Sequence, residues 1–101
     1  MDRSNIPEAK VVGWMFENEN VVISFGKDKI LLNQSSGIVW ELIDGVNTIQ
    51  DIIDEMKKKY GEQNSEEYLG QIVEESIYYF SEAGLIVLKS ENDLDGWLQY
   101  E

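Results

Sequence analysis

The 101-residue chain contains no cysteine and no histidine. Their absence removes the thiol nucleophile, the disulfide, the commonest zinc ligands and the side chain that most often shuttles protons near neutral pH. Basic residues are scarce: 8 Lys and Arg stand against 20 Asp and Glu, a formal net charge of −12. Affinity for nucleic acid rests on Lys and Arg neutralising phosphates, so no nucleic acid is expected among the partners. The same field disfavours an anionic membrane surface and speeds the encounter with a cationic partner. No apolar run approaches the ~20 residues of a membrane span, so no membrane is expected either. Met1 to Lys10 lacks the apolar stretch of a signal peptide, and the missing disulfides suit a reducing compartment. The expected location is the cytoplasm, where the sequon Asn33-Gln34-Ser35 would not meet a glycosylation machinery.

Proline occurs once, and 43% of the residues are hydrophobic. That composition gives a folded chain with a small core, and the length fits one domain. Residues 1–9 are polar, carry Pro7 and read as a flexible N-terminal arm. Residues 10–88 hold the periodic segments. Residues 89–101 form an acidic tail containing Trp97 and Tyr100.

Within the central part, Val11 to Phe16, Val21 to Phe25 and Lys29 to Leu32 read as strands, rich in β-branched and aromatic residues. Glu17-Asn18-Glu19-Asn20 and Gly26-Lys27-Asp28 are the turns between them, which makes a three-stranded meander. The period then changes to helical. Ile38, Val39, Leu42 and Ile43 form one apolar stripe behind the caps offered by Gln34-Ser35-Ser36, with Asn33 as a further candidate and Gly45 as a left-handed stop. Thr48 caps a second helix with Asp51 at its third position, ahead of Ile49, Ile52, Ile53 and Met56. Lys57-Lys58-Lys59 suits its C-terminal dipole, and Gly61 stops it. A third helix begins near Asn64 or Ser65 and runs to about Ala83, closed by Gly84. Leu85 to Leu88 is a short final extended segment.

The third helix has two faces. Leu69, Val73, Ile77 and Phe80 fall on one narrow stripe, the core face. Ile72, Ser76, Tyr79 and Ala83 form a neighbouring stripe, with Tyr68 at its edge, too apolar for a solvated face. It is either more core or one wall of a groove. The opposite wall would be the strand Lys29-Ile30-Leu31-Leu32, an edge with a single charge, open to a partner strand. The competing arrangement pairs Leu85–Leu88 with an edge strand of the meander and buries both stripes.

Several chemistries find no support. A DNA-binding helix–turn–helix needs a basic recognition helix, whereas the segment from Glu66 to Ala83 holds five glutamates and no Lys or Arg. Glu91-Asn92-Asp93-Leu94-Asp95-Gly96 imitates a calcium loop, but its first ligand would be Glu and its twelfth position falls past Glu101. Asp51, Asp54 and Glu55 are surface charge opposite an isoleucine stripe. Ser24, Ser35 and Ser36 have no histidine to activate them. No catalytic residue, metal site or cofactor is expected.

The order of these segments resembles PqqD-like proteins. Leu32-Asn33 followed by Ile38-Val39-Trp40-Glu41-Leu42-Ile43-Asp44-Gly45 is similar to one segment of that family. Thr48-Ile49-Gln50-Asp51-Ile52-Ile53 is similar to its next helix start, and Val73, Ile77, Phe80 and Gly84-Leu85-Ile86 to its closing pattern. The resemblance spans about residues 10–88. It implies an α+β, winged helix–turn–helix-like fold, a three-stranded antiparallel sheet followed by three helices. It also implies a stand-alone recognition element for precursors of ribosomally made, post-translationally modified peptides (RiPPs). Such a domain binds the leader region of a precursor peptide as an added strand and presents it to a RiPP-modifying enzyme: a peptidase, a cyclase or a radical-SAM enzyme. Carried over by position, the peptide-binding residues are Lys29, Ile30, Leu31 and Leu32 on the strand and Ile72, Ser76 and Tyr79 on the helix, with Glu75 at the rim. The family usually has a large apolar residue where this chain has Ser76, which implies room for a bulky leader side chain. Pairing of the same strand edge between two copies would give a homodimer. The alternative function is a winged-helix regulatory module acting through protein–protein contacts.

Overall fold

The computed structural model describes residues 1–10 and 13–90. Val11 and Val12, expected to open the meander, lie outside the described residues. So do the tail with Trp97 and Tyr100 and the calcium-like run from Glu91 to Gly96. The elements are β1 (Ile6–Ala9), β2 (Gly13–Glu17), β3 (Asn20–Phe25), β4 (Asp28–Leu31), α1 (Gln34–Glu41), α2 (Ile49–Tyr60), α3 (Glu66–Glu82) and β5 (Ile86–Lys89).

The three-stranded antiparallel sheet has the order β2-β3-β4. Its first hairpin closes on the pair Glu17–Asn20, leaving the two-residue turn Asn18-Glu19. Both turn residues take positive φ, 52° and 70°. That is the pattern of a type I′ turn, whose twist matches the strands it joins. Asparagine tolerates this conformation, but glutamate there is strained. The second hairpin closes on Phe25–Asp28, with Gly26 supplying the positive φ of 64°.

The helices begin on caps. The Asn33 side chain accepts from the Ser36 N–H, and the Ser65 hydroxyl from the Tyr68 N–H. Thr48 and Asp51 form a reciprocal capping box at α2. Lys57 at the end of α2 pairs with Glu66 at the start of α3, 3.1 Å away. Gly84, at φ 76°, closes α3 as expected. Gly61 ends α2 in a right-handed conformation, and Gly45 takes its positive φ in the loop beyond α1.

Apolar stripes from all three helices and the inner face of the sheet share one core, with α1 lying against β3. Val21, Ile23 and Leu32 pack with Val39, Trp40, Ile53, Val73, Ile77 and Phe80 in one buried cluster. Trp40 meets Phe80 edge to face with ring centroids 5.2 Å apart. Gly37 lets α1 approach β3: a Cβ there would stand 3.2 Å from Val21 Cγ2.

Residues 1–9 depart from the expected loose arm. Ile6–Ala9 pairs antiparallel with β5 as a separate two-stranded sheet, so the final segment pairs with the N-terminus and not with an edge of the meander. The Lys10 N–H donates to the Leu85 carbonyl at 2.9 Å. This sets the phase of the ladder and places Pro7, opposite Leu88, where no N–H is required. Glu8 and Lys89 form an ion pair across the ribbon. The carbonyls of Asn5 and Arg3 accept from Ile49 and Gln50, two N–H groups at the start of α2 that no helical carbonyl can satisfy. Arg3 Nε also donates to Glu74 Oε1 on α3 at 2.7 Å.

Candidate functional site

β4 is an end strand of the meander. The Leu32 N–H donates to the Val21 carbonyl at 2.9 Å, which fixes how the ladder alternates. Asp28, Ile30 and Leu32 bond to β3, while the N–H and C=O groups of Lys29 and Leu31 face away from it. The edge therefore offers two residues' worth of backbone donors and acceptors at the spacing an added strand needs.

The four strand residues singled out by sequence do not share a face. Leu32 is buried in the core, and Ile30 is half-buried against it. Lys29 and Leu31 project from the outer face, where Leu31 is 66% exposed. With Glu17, Asn18, Asn20 and Val22 they border an open hollow of about 300 Å³. Backbone offered by Lys29 and Leu31 and side chains offered by Ile30 and Leu32 are thus separate properties of one strand.

The four helix residues do come together. Ile72, Glu75, Ser76 and Tyr79 line a hollow of about 360 Å³ with Asn33, Ser35 and Ser36, the residues that follow β4 into α1. Ser76 is the floor, only 5% exposed, with its hydroxyl 3.3 Å from that of Ser36. Ile72 is half-buried, and Tyr79 is 48% exposed with its ring edge-on to Phe80. Glu75 stands at the rim and accepts from Gln71 Nε2 at 3.0 Å. Past Ser35 and Ile72 the groove continues into a second hollow of about 220 Å³, lined also by Ile38, Met56, Tyr60, Tyr68 and Leu69. Sequence reasoning missed this extension and the α1 side of the first hollow. The α1 wall had one visible signal: Ser35 and Ser36 sit in the first turn behind the Asn33 cap.

Among the described residues, the two carboxyls held below the ordinary carboxylate range, Asp2 and Asp44, lie outside this groove. Asp2 is lowered by the hydroxyl and the N–H of Ser4, and Asp44 by the N–H groups of Asn47 and Val46. Both are turn carboxylates. Among the described residues no cluster of acidic side chains could hold a metal ion. No described helix is long and apolar enough to cross a membrane.

The sequence profile of a family described as Coenzyme PQQ synthesis protein D (PqqD) matches residues 19–86. The matched stretch runs from the first hairpin turn to the first residue of β5, and so includes β4, the start of α1, α3 and the hollow between the two helices. Neither curated proteins nor solved structures gave a match.

Proposed function

Because this chain belongs to the PqqD family, whose precursor-binding role in PQQ biosynthesis fits a peptide-binding partner, we propose that it is a non-catalytic peptide chaperone. It binds the leader segment of a ribosomally made precursor as a strand added to β4. It then presents the rest of the precursor to a separate modifying enzyme in the cytoplasm. The observation that carries this reading is the open edge of β4, where the backbone of Lys29 and Leu31 faces outward and the chain then runs on to Asn33, which lines the hollow of Ile72, Glu75, Ser76 and Tyr79.

Backbone bonds at the edge give affinity with little dependence on leader sequence, and the hollow gives specificity. An added strand sends alternate side chains to opposite faces. One set reaches the hollow over Ser76, and the other lies beside exposed Leu31 on the outer face. Holding the leader raises the effective concentration of the precursor at the modifying enzyme. A leader rich in Lys or Arg would also gain from the net charge of −12.

The test is an amide-shift titration of the ¹⁵N-labelled full chain with the leader peptide of a short precursor encoded in the same gene cluster. Saturable shifts at Lys29 to Leu31 and at Ile72, Ser76 and Tyr79, with micromolar or tighter affinity, are expected. Shifts confined to β1, β5 or the outer face of α2 would overturn the proposal.

A further inference from the structure

The other end strand of the meander, β2, carries an unusual run of exposed apolar side chains among the described residues. Trp14, Met15 and Phe16 are 44%, 61% and 53% exposed. The strand's only charge is Glu17, at its last position. Edges of this kind are ordinarily blocked by lysine, proline or a bulge, and β2 has none. Its hairpin-closing pair is Glu17–Asn20, so the ladder bonds Met15 to Val22 and turns the backbone of Trp14 and Phe16 outward.

We infer that this edge pairs antiparallel with the same edge of a second copy, in a register centred on Met15. The occupant follows from self-complementarity. In that register Trp14 of each copy lies opposite Phe16 of the other, and these are the residues whose N–H and C=O groups face outward. Each exchanges two backbone bonds with its opposite number. The two Met15 residues meet across the twofold axis as a non-hydrogen-bonded pair. Glu17 falls opposite Gly13, so no like charges oppose one another on the ladder. The aromatic pair within each copy, already edge to face at 5.5 Å, extends into a four-ring cluster. A register shifted by one residue breaks the twofold match of outward-facing groups.

The product is a six-stranded sheet ordered β4-β3-β2-β2-β3-β4. It leaves both β4 edges open at its ends, so the inference does not depend on what β4 binds. It differs from dimerisation through β4, in which the second copy would occupy the peptide edge. The two copies carry −12 each, so association strengthens as salt screens their repulsion.

Sedimentation velocity of the full chain across a concentration series tests this. The mass should rise from 11.6 kDa toward twice that value, further at higher salt. Met15→Lys sets two ammonium groups against each other and should hold the chain monomeric, with an unchanged melting curve because its stem still covers Val22. Met15→Cys gives a second measurement on a chain with no other thiol. Cα atoms of a non-hydrogen-bonded pair lie about 4.5 Å apart, within disulfide range, so mild oxidation should yield a covalent dimer. A chain that stays monomeric at every concentration and salt overturns the inference. So does a dimer that persists in Met15→Lys and leaves Met15→Cys uncrosslinked. A β2 edge that stays unpaired with itself but binds a modifying enzyme would name a different occupant and overturn it too.

Discussion

Proline scanning of β4 separates backbone that serves the fold from backbone that serves a ligand. The Leu31 N–H faces away from β3, and its side chain is 66% exposed. Leu31→Pro therefore removes no ladder bond and little buried surface, and edge positions of this type accept proline. Stability should fall by less than about 1 kcal/mol, a cost set by narrowing φ toward −65°. Binding should suffer far more. A carbonyl of the added strand loses its donor, which costs about 1–3 kcal/mol where water cannot replace it. At about 1.4 kcal/mol per tenfold, affinity drops roughly 5- to 150-fold. Ile30→Pro is the control, because the Ile30 N–H bonds to β3 and the side chain packs on the core. It should cost about 3 kcal/mol or more and lower the melting temperature sharply. The assay is fluorescence anisotropy of a labelled leader peptide alongside thermal melts of both variants. A folded Leu31→Pro that binds like the parent refutes strand addition at β4. A Leu31→Pro that unfolds as readily as Ile30→Pro refutes the assigned phase of the ladder.

Three further substitutions probe the site and the turns that hold it. Ser76→Leu fills the hollow from its floor and removes the bond to Ser36; calorimetric titration should show leader affinity falling at least about tenfold, with crowding costing about 1–3 kcal/mol of stability. Glu19→Gly relieves a left-handed glutamate at φ 70° and should stabilise by about 1 kcal/mol, raising the melting temperature by about 4–8 °C. Asp44 has a lowered folded-state pKa because Asn47 and Val46 donate to it. Its contribution is present above the unfolded carboxylate value and lost as pH falls through the folded one, so Asp44→Ala should flatten the acid side of a denaturant-midpoint profile below about pH 4.

What could be read in advance follows the range of the interactions. The meander, the Thr48 cap and the stop at Gly84 depend on residues within a few positions of one another, and the structure matches the expectation there; of the caps left open, the structure takes Asn33 over Gln34, Ser35 and Ser36, and Ser65 over Asn64. β1 was illegible for two reasons. Its pairing partner lies some eighty residues away, and its centre is Pro7, a residue that argues against a strand. The argument fails because Pro7 falls where the ladder with β5 asks for no N–H. The second stripe of α3 was visible from helical spacing, and Ile72, Ser76 and Tyr79 do share a hollow. The state of Ser76 was not visible. Its hydroxyl is buried against Ser36 across forty residues of sequence, a contact that no local pattern encodes. Taking Lys29 to Leu32 as one contact run ignored the alternation of strand faces, which sends Ile30 and Leu32 into the core.

The division of labour within β4 bears on what a leader must look like. The two residues that offer backbone, Lys29 and Leu31, offer it to any extended chain lacking proline at the paired positions. If a leader adds to β4 as proposed, discrimination falls to the side chains that reach the groove over Ser76. In an extended strand those are every second residue, at a spacing of about 6.6–6.8 Å. The residues between them lie beside Leu31 on the outer face, where solvent is close and the cost of a mismatch is small. A grip built this way tolerates variation at alternate positions and one-residue insertions beyond the paired segment. It does not tolerate a one-residue slip within that segment, because a slip exchanges the two faces and turns polar leader residues onto Ile72 and Tyr79. On that proposal the leader's recognition sequence is short and periodic, and the −12 charge acts on its rate of arrival more than on its register.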